Sequence, residues 1–216
     1  MGDRAAEGRV ARLEAARLYG ITPELPPPRL LELVDGWLAA GVPLVQLRAK
    51  TLPRGELLEL ARNLAHRCHR AGALLLVDDH LDVALLADAD GVHLGEEDLP
   101  IGDARRVIEE QGVALLVGAS AATPEAGRTA AAAGADYLGV GPAYATPIKA
   151  EKRPIGPGGV AGVQAAVGIP VFAIGGVDVG RIGELRAHGV GRVCVIRALS
   201  GPDPRGMACR LLAALR

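Results

Sequence analysis

The sequence predicts a single-domain α/β protein of the (β/α)8, or TIM-barrel, class. Its 216 residues suit one barrel better than two domains. Short apolar runs alternate with longer amphipathic segments, and 50% of the residues are apolar, which is enough for a large core. This alternation indicates parallel strands joined by crossover helices, and eight such units close into a barrel.

The predicted strands are runs that are apolar throughout. A run too short for a helix and without polar alternation indicates a strand buried on both faces. The runs lie at 18–21, 44–47, 73–77, 91–94, 115–119, 137–141, 171–174 and 193–196. Because aromatic residues make up only 2% of the chain, we expect the core to be aliphatic.

The predicted helices lie between these runs, at 30–40, 54–71, 124–133, 160–166 and 181–188, with a helical extension over about residues 1–17. A small, tight helix is expected at 81–88. Glycine stops follow four helices, at Gly41, Gly72, Gly134 and Gly189. The alternative is an open doubly wound sheet. It would require a GxGxxG fingerprint after the first strand, where the chain has Thr22-Pro23-Glu24 instead, so the barrel is favoured.

Composition excludes several classes of function. The net charge is −1, without a basic stripe or an aromatic stacking platform, so we expect no nucleic-acid partner. Apolar stretches are too short to span a membrane, and the N-terminus lacks the apolar core of a signal peptide. The odd number of cysteines, Cys68, Cys194 and Cys209, and the lack of CxxC spacing indicate buried free thiols in a reducing cytoplasm. The oligomeric state stays open, with a homo-oligomer as one alternative.

Polar residues concentrate where the predicted strands end, at the mouth where sites lie in this fold. Gln46, Arg48 and Lys50 are two residues apart and therefore share a face. An amide and two cations on one face suit a diphosphate or a carboxylate, and the alternative is a set of salt bridges within the mouth. His80 and His93 also follow strands, in either a ligand-contacting or a structural role.

Asp79 and Asp98 follow neighbouring strands, with Asp78 and Glu97 beside them. Mg²⁺ typically uses one or two carboxylates together with substrate phosphates. The alternative for each aspartate alone is helix capping. Their proximity to predicted phosphate-binding cations favours a magnesium site.

The stretch 173–177 reads AIGGV and leads into a helix. Glycines at this point let backbone N–H groups approach a phosphate, and barrels frequently bind one beside strands seven and eight. The mouth is therefore predicted to hold two anion sites. One combines cations with carboxylates, and the other consists of backbone amides.

These motifs resemble the thiamine-phosphate synthase family over nearly the whole chain. The matching stretches are VQLRAK at 45–50, Asp79, GVHLGEEDLP at 91–100, GAS at 118–120, GADYLGVGP at 134–142 with Thr146 and Lys149, and AIGGV at 173–177. The resemblance implies a barrel enzyme that joins hydroxymethylpyrimidine diphosphate to thiazole phosphate, releasing pyrophosphate and forming thiamine phosphate. It also implies that the bond to pyrophosphate breaks early, leaving a pyrimidine cation that the thiazole nitrogen captures.

The resemblance assigns roles residue by residue. Asp79 and Asp98 would bind Mg²⁺. The catalytic set would be Arg48, Lys50, Ser120 and Lys149. The substrate-binding set would add Gln46, Asp78, Thr146, Ile148, Gly176, Ile196 and Arg197.

Four positions depart from the family pattern. The family usually has Asn at position 78, Thr or Ser at 148, Ser at 197 and often His at 122, where this chain has Asp78, Ile148, Arg197 and Ala122. These departures keep open a diverged paralogue that binds thiazole phosphate without ligation, as a regulatory or tautomerase-like protein, although Ala122 counts against a tautomerase. Another phosphate-binding barrel, such as an isomerase, ranks last because no general base is evident besides the carboxylates. The mixture of Gly, Pro and charge at 143–157 suggests a lid.

Overall fold

The fold is described here from a computed structural model, which covers residues 2–147, 151 and 153–216. Within this range eight parallel strands form a closed barrel in sequence order, and the first strand pairs with the last. The strands are β1 Leu18–Ile21, β2 Leu44–Leu47, β3 Leu74–Asp78, β4 Gly91–Leu94, β5 Leu116–Ala121, β6 Tyr137–Val140, β7 Val171–Ala173 and β8 Val193–Val195. The predicted (β/α)8 fold is confirmed.

The described helices are α1 Gly2–Ala15, α2 Pro27–Ala39, α3 Arg54–Arg70, α4 Leu81–Leu86, α5 Ile101–Glu110, α6 Pro124–Ala132, α7 Gly156–Ala166, α8 Val179–Ala187 and α9 Pro204–Ala214. A 3₁₀ turn covers Arg197–Leu199. The four glycine stops have φ between 73° and 101°, a backbone conformation that favours glycine. In the described residues no helix is both long and apolar enough to cross a bilayer.

Helix α1 lies across the end of the barrel where the strands begin. Its Leu13 is buried with Leu44 and Leu74, the first residues of β2 and β3. The Arg9 guanidinium donates to the Ala114 carbonyl at 2.7 Å and to Asp90 at 2.9 Å, just before β5 and β4. The base of the barrel is therefore covered, and the cavity lies at the opposite end.

Two of the sequence expectations about buried residues hold only in part. The expected aliphatic core holds inside the helical layer, but Tyr19, Tyr137 and Phe172 pack edge to face in the barrel interior, with ring centroids 5.5–5.8 Å apart. A few aromatic rings fill the barrel interior because each ring occupies the volume of several aliphatic groups. Of the cysteines, Cys68 and Cys194 are buried, whereas Cys209 is exposed on α9.

Candidate functional site

A cavity of about 700 Å³ opens where the strands end. Eleven of the predicted site residues line it: Gln46, Arg48, Lys50, Asp78, Asp79, Asp98, Ser120, Thr146, Gly176, Ile196 and Arg197. The remaining two, Ile148 and Lys149, lie outside the described residues, as does part of the predicted lid. Strand ends that are far apart in sequence thus supply one continuous site.

The side of the mouth formed by β2, β3 and β4 carries paired charges. Lys50 Nζ lies 2.9 Å from Asp79 and 3.9 Å from Asp78, and Arg48 Nε lies 3.7 Å from Asp78. The salt bridges weighed as an alternative are therefore present, and the same cations line the cavity. An incoming diphosphate would compete with these carboxylates for Arg48 and Lys50.

Asp78 is a nearly buried carboxyl group on this side. Its burial, together with the neighbouring Asp79, raises its pKa from 3.8 to about 7, although Lys50 and Arg48 act in the opposite direction. A carboxyl with this pKa is partly protonated near neutral pH, when it resembles the amide that the family usually carries there.

Asp79 and Asp98 lie in direct contact, side chain to side chain. Partial burial alone would raise the pKa of Asp79, but the hydrogen bonds with Lys50 and Asp98 outweigh it and lower that pKa. Burial and the adjacent Asp79 raise the pKa of Asp98, more than the hydrogen bond from the Gly95 N–H lowers it. Two carboxyl groups in contact repel each other when both are ionised, and a cation bound between them would remove that repulsion.

Helix capping does not explain these two aspartates. Helices α4 and α5 begin after His80 and Pro100, without a capping side chain at either. Asp98 instead accepts from the Gly95 N–H at 2.7 Å, and Asp79 has φ of 62°, unusual for a residue with a side chain. Strained backbone of this kind clusters at functional sites. Among the described residues no group of three or more His, Cys, Asp or Glu side chains is arranged to hold a metal, so a cation here would need ligands from its substrate.

The loop after β1 supplies two residues that the sequence interpretation missed. Thr22 Oγ1 accepts from the Arg48 N–H at 2.8 Å and donates to the Arg48 carbonyl at 3.0 Å. Glu24 accepts from the Lys50 N–H at 2.9 Å and from the Arg48 side chain at 3.2 Å. These bonds hold the segment that carries both cations. The signal was the same as for the other strands, namely polar residues directly after an apolar run.

A buried polar network crosses the barrel beneath the cavity. Gln46 Nε2 donates to the Tyr19 hydroxyl at 2.6 Å, and that hydroxyl lies 2.9 Å from the Tyr137 hydroxyl. His93 Nδ1 lies 3.0 Å from the Tyr137 hydroxyl, and its Nε2 lies 3.1 Å from Ser120 Oγ. His93 therefore has at least a structural role. Burial raises the pKa of both tyrosines well above 10.0, so both phenols keep their protons.

The side of the mouth formed by β7 and β8 is built from backbone. Gly175 and Gly176 have φ of 93° and 66°. The Gly175 carbonyl accepts from the Tyr144 N–H at 2.9 Å, and the Gly176 carbonyl accepts from Arg181. In a trans peptide the following N–H points the opposite way, so the N–H groups of Gly176 and Val177 point away from these donors. This geometry suits an anion at the start of α8.

Three further residues complete this side. Arg181 on α8 stacks over the Tyr144 ring, 4.5 Å from its centroid, and also lines the cavity. Arg197 is exposed at the rim, where its guanidinium is solvated. Sequence reasoning missed Arg181 because a helical arginine resembles an ordinary solvated residue.

Comparison with known proteins agrees with this geometry. A family model described as "Thiamine monophosphate synthase" matches residues 18–199. A thiamine-phosphate synthase from Gloeobacter violaceus is 45% identical over 195 residues, covering 90% of this chain and 56% of that protein. A relative from Geobacter sulfurreducens is 45% identical over 188 residues, covering 86% and 87% of the two chains. The chain thus spans about half the length of several curated relatives and most of the length of the one from Geobacter sulfurreducens.

Among solved structures, a thiamine phosphate pyrophosphorylase from Pyrococcus furiosus superposes with a TM-score of 0.85 at 35% identity, covering 95% of this chain and 97% of that one. The region that the family model matches, residues 18–199, includes every strand of the barrel and all the described residues that line the cavity. The chain therefore belongs to the thiamine monophosphate synthase family.

Proposed function

We propose that the protein is a transferase of thiamine biosynthesis that condenses 4-amino-2-methyl-5-hydroxymethylpyrimidine diphosphate with 4-methyl-5-(2-phosphoethyl)thiazole, giving thiamine phosphate and pyrophosphate. The observation that carries this proposal is the joining of two anion sites in one cavity. One site has charged side chains on β2–β4 and the other has glycine backbone after β7. A reaction between a diphosphate and a monophosphate needs both.

The diphosphate would bind beside Arg48 and Lys50. The bond between the pyrimidine methylene and the diphosphate oxygen breaks, and the thiazole nitrogen supplies the electron pair for the new carbon–nitrogen bond. The cations stabilise the charge that develops on the departing pyrophosphate, which is the largest demand of such a step. Thr22 and Glu24 hold the backbone of this segment, so the cations need little rearrangement during the reaction.

The residues present fit a magnesium ion. Asp79 and Asp98 present adjacent carboxyl groups near Lys50, and Mg²⁺ commonly combines one or two carboxylates with substrate phosphate oxygens. Bound there, the ion would add positive charge at the leaving diphosphate. We place Mg²⁺ with these two residues as part of the proposal.

The other substrate would bind across the mouth. Gly176 and the start of α8 would hold the thiazole phosphate through N–H groups, with Thr146, Ile196 and Arg197 around it. Gln46 and Ser120 would contact the pyrimidine, which places the two rings between the anion sites. The remaining assignments, Ile148 to the thiazole and Lys149 to the diphosphate, rest on the resemblance, and the free thiols fit the proposed cytoplasmic location.

The direct test is incubation of the full chain with both substrates and MgCl₂, followed by chromatography for thiamine phosphate and a pyrophosphate assay. We expect both products in equal amounts and none in the presence of a chelator. Failure to form product at enzyme concentrations comparable to substrate would overturn the proposal. If the chelator left product formation unchanged, the magnesium ion would be dropped from the proposal and the transferase activity would be kept.

Asp78 supports a second candidate, a paralogue that binds thiazole phosphate without ligation. Its carboxylate faces the cations that the diphosphate needs. Calorimetry separates the two functions, because tight thiazole-phosphate binding with no diphosphate binding in MgCl₂ would favour the paralogue. Ala122 lines the cavity where a tautomerase would carry histidine, so the tautomerase-like variant has less support.

A further inference from the structure

Five buried or half-buried side chains form one continuous hydrogen-bonded path, here called the relay. Its members, in order, are Gln46 on β2, Tyr19 on β1, Tyr137 on β6, His93 on β4 and Ser120 on β5. Its four contacts measure 2.6, 2.9, 3.0 and 3.1 Å. Both ends line the cavity, so the relay links two walls of the site through the barrel interior.

Counting hydrogens favours one direction for the relay. Gln46 donates to Tyr19 through its amide nitrogen, and either hydroxyl of the tyrosine pair could be the donor in the next contact. With Tyr19 as that donor, its buried hydrogen has a partner, and the single Tyr137 hydrogen is directed to Nδ1 of His93. A His93 ring with one hydrogen would then carry it on Nε2 and donate to Ser120.

We propose that the relay sets the polarity of the pyrimidine pocket. Ser120, which accepts from His93, has its hydroxyl hydrogen left for a ligand, and Gln46, which donates to Tyr19, has its carbonyl oxygen left to accept. The pocket therefore selects a ring that presents an acceptor toward β5 and a donor toward β2, as an aminopyrimidine does. The choice of ring rests on the proposed function. Tyr19, Tyr137 and His93 are positioning residues, because they act through Gln46 and Ser120.

Burial makes this polarity hard to reverse. Gln46 is 2% exposed and both tyrosines are at most 1% exposed, so water has little access to the place of a lost partner. A buried polar group without a partner costs about 1–3 kcal/mol, and polarised chains of hydrogen bonds favour one consistent direction. The relay also requires glycine at position 118, because a Cβ there would lie 2.1 Å from the Tyr137 ring.

The first test measures the direction itself and does not depend on catalysis. Nitrogen-15 NMR of the ligand-free protein distinguishes the two histidine tautomers, and a His93→Asn variant identifies the His93 signals among the five histidines. We expect hydrogen on Nε2 and none on Nδ1. The opposite tautomer, or a doubly protonated ring at neutral pH, would overturn the proposed direction.

The second test measures ring selection by calorimetry, without the thiazole substrate. The ligands are the aminopyrimidine diphosphate and its analogue with a carbonyl in place of the amino group, each with MgCl₂. We expect the wild-type protein to favour the amino compound, and Tyr137→Phe to reduce that preference about tenfold. In turnover, KM for the pyrimidine substrate should rise while KM for thiazole phosphate stays constant.

A matched control separates positioning from loss of stability. Trp37→Phe removes a different buried hydrogen bond, from Trp37 Nε1 to the Leu199 carbonyl at 3.0 Å, and should leave the ring preference unchanged. Tyr19→Phe breaks the relay at a second point if Tyr137→Phe does not fold. Unchanged preference in both tyrosine variants would overturn the proposal. If neither compound bound to the wild-type protein, the proposed function would be wrong. The tautomer measurement would then test the direction of the relay by itself.

Discussion

The two sides of the mouth differ in what they offer a ligand. On the β2–β4 side, Lys50 and Arg48 are already paired with carboxylates, so a ligand must rearrange charges that neutralise one another. On the β7 side, Gly175 and Gly176 present backbone whose direction is set by hydrogen bonds from Tyr144 and Arg181. The first side can respond to pH, metal and charge, whereas the second is fixed once the chain folds. A leaving group that gains charge suits the first, and a phosphate that only anchors its substrate suits the second.

The largest expected effect comes from removing a carboxylate from the charged side. Asp98→Asn should lower turnover by about a thousandfold, since it removes half of the contact with Asp79 and one proposed metal ligand. Steady-state kinetics at several MgCl₂ concentrations would measure it. Asp103→Asn, a change of a partly exposed residue on α5 outside the cavity lining, is the control. Full turnover in Asp98→Asn would remove this residue from the metal site.

A methyl group added at Gly176 should weaken phosphate binding on the β7 side of the mouth. Gly176→Ala imposes a φ of 66° on a residue with a side chain and places its Cβ 2.8 Å from the Ala145 carbonyl oxygen. We expect KM for thiazole phosphate to rise up to about a hundredfold, with KM for the diphosphate unchanged.

Gly189→Ala is the matched control for this change. Position 189 has a similar φ of 78°, and an added Cβ there would have no atom within 4 Å. This variant therefore has the backbone strain of Gly176→Ala without its steric clash. Equal KM values in the two variants would show that the Gly176 backbone does not hold the phosphate.

The charged side should also make stability depend on pH. Asp78 has a folded pKa of about 7 against an ordinary 3.8, so its protonated form stabilises the fold below about pH 4, and this contribution is lost as pH rises through 7. Asp78→Asn has no such loss. Its free energy of unfolding, relative to wild type, should therefore rise by about 4 kcal/mol from pH 4 to pH 8, since each pKa unit corresponds to about 1.4 kcal/mol.

Urea denaturation with chelator present measures this difference. A constant difference between the two proteins across this range would mean that Asp78 ionises normally in the folded chain. Asp82→Asn, at an exposed carboxylate paired with Arg54, is the control and should give a constant difference.

The smallest effect is expected at the rim. Arg197 is exposed, so Arg197→Ser should raise KM for thiazole phosphate only about threefold, and less at high salt, because solvated charges are screened. Kinetics at two salt concentrations would measure it. A larger increase that persists at high salt would instead place the guanidinium in direct contact with the phosphate.

Sequence patterns predicted the barrel because each strand is buried on both faces and leaves an uninterrupted apolar run. The bounds of β1, β2 and β4 agree with the predicted runs. Strands β3 and β5 begin one residue later and continue through the polar residues Asp78 and Ser120, whereas β6, β7 and β8 each end one residue earlier. Polar residues after these runs predicted most of the described site, because the ends of parallel strands converge at one mouth.

The relay could not be predicted in this way. Tyr19 and Tyr137 sit within apolar runs and look like core residues, and only the packing of opposite strands brings their hydroxyl groups together. Glu24 was overlooked for a different reason, since its role depends on the path of the loop rather than on spacing. Long-range contacts of both kinds follow from tertiary structure and have no local signature.

Helix α1 also determines where additional chain can join the barrel. It is tied to the base through Arg9 and Asp90, a carboxylate that is 1% exposed and also accepts from the Leu75 N–H. Chain fused before α1 would therefore join the barrel at the end opposite the cavity. Fusion at that end should keep the entrance clear, whereas deletion of α1 would remove the Arg9 guanidinium that pairs with the buried Asp90 side chain.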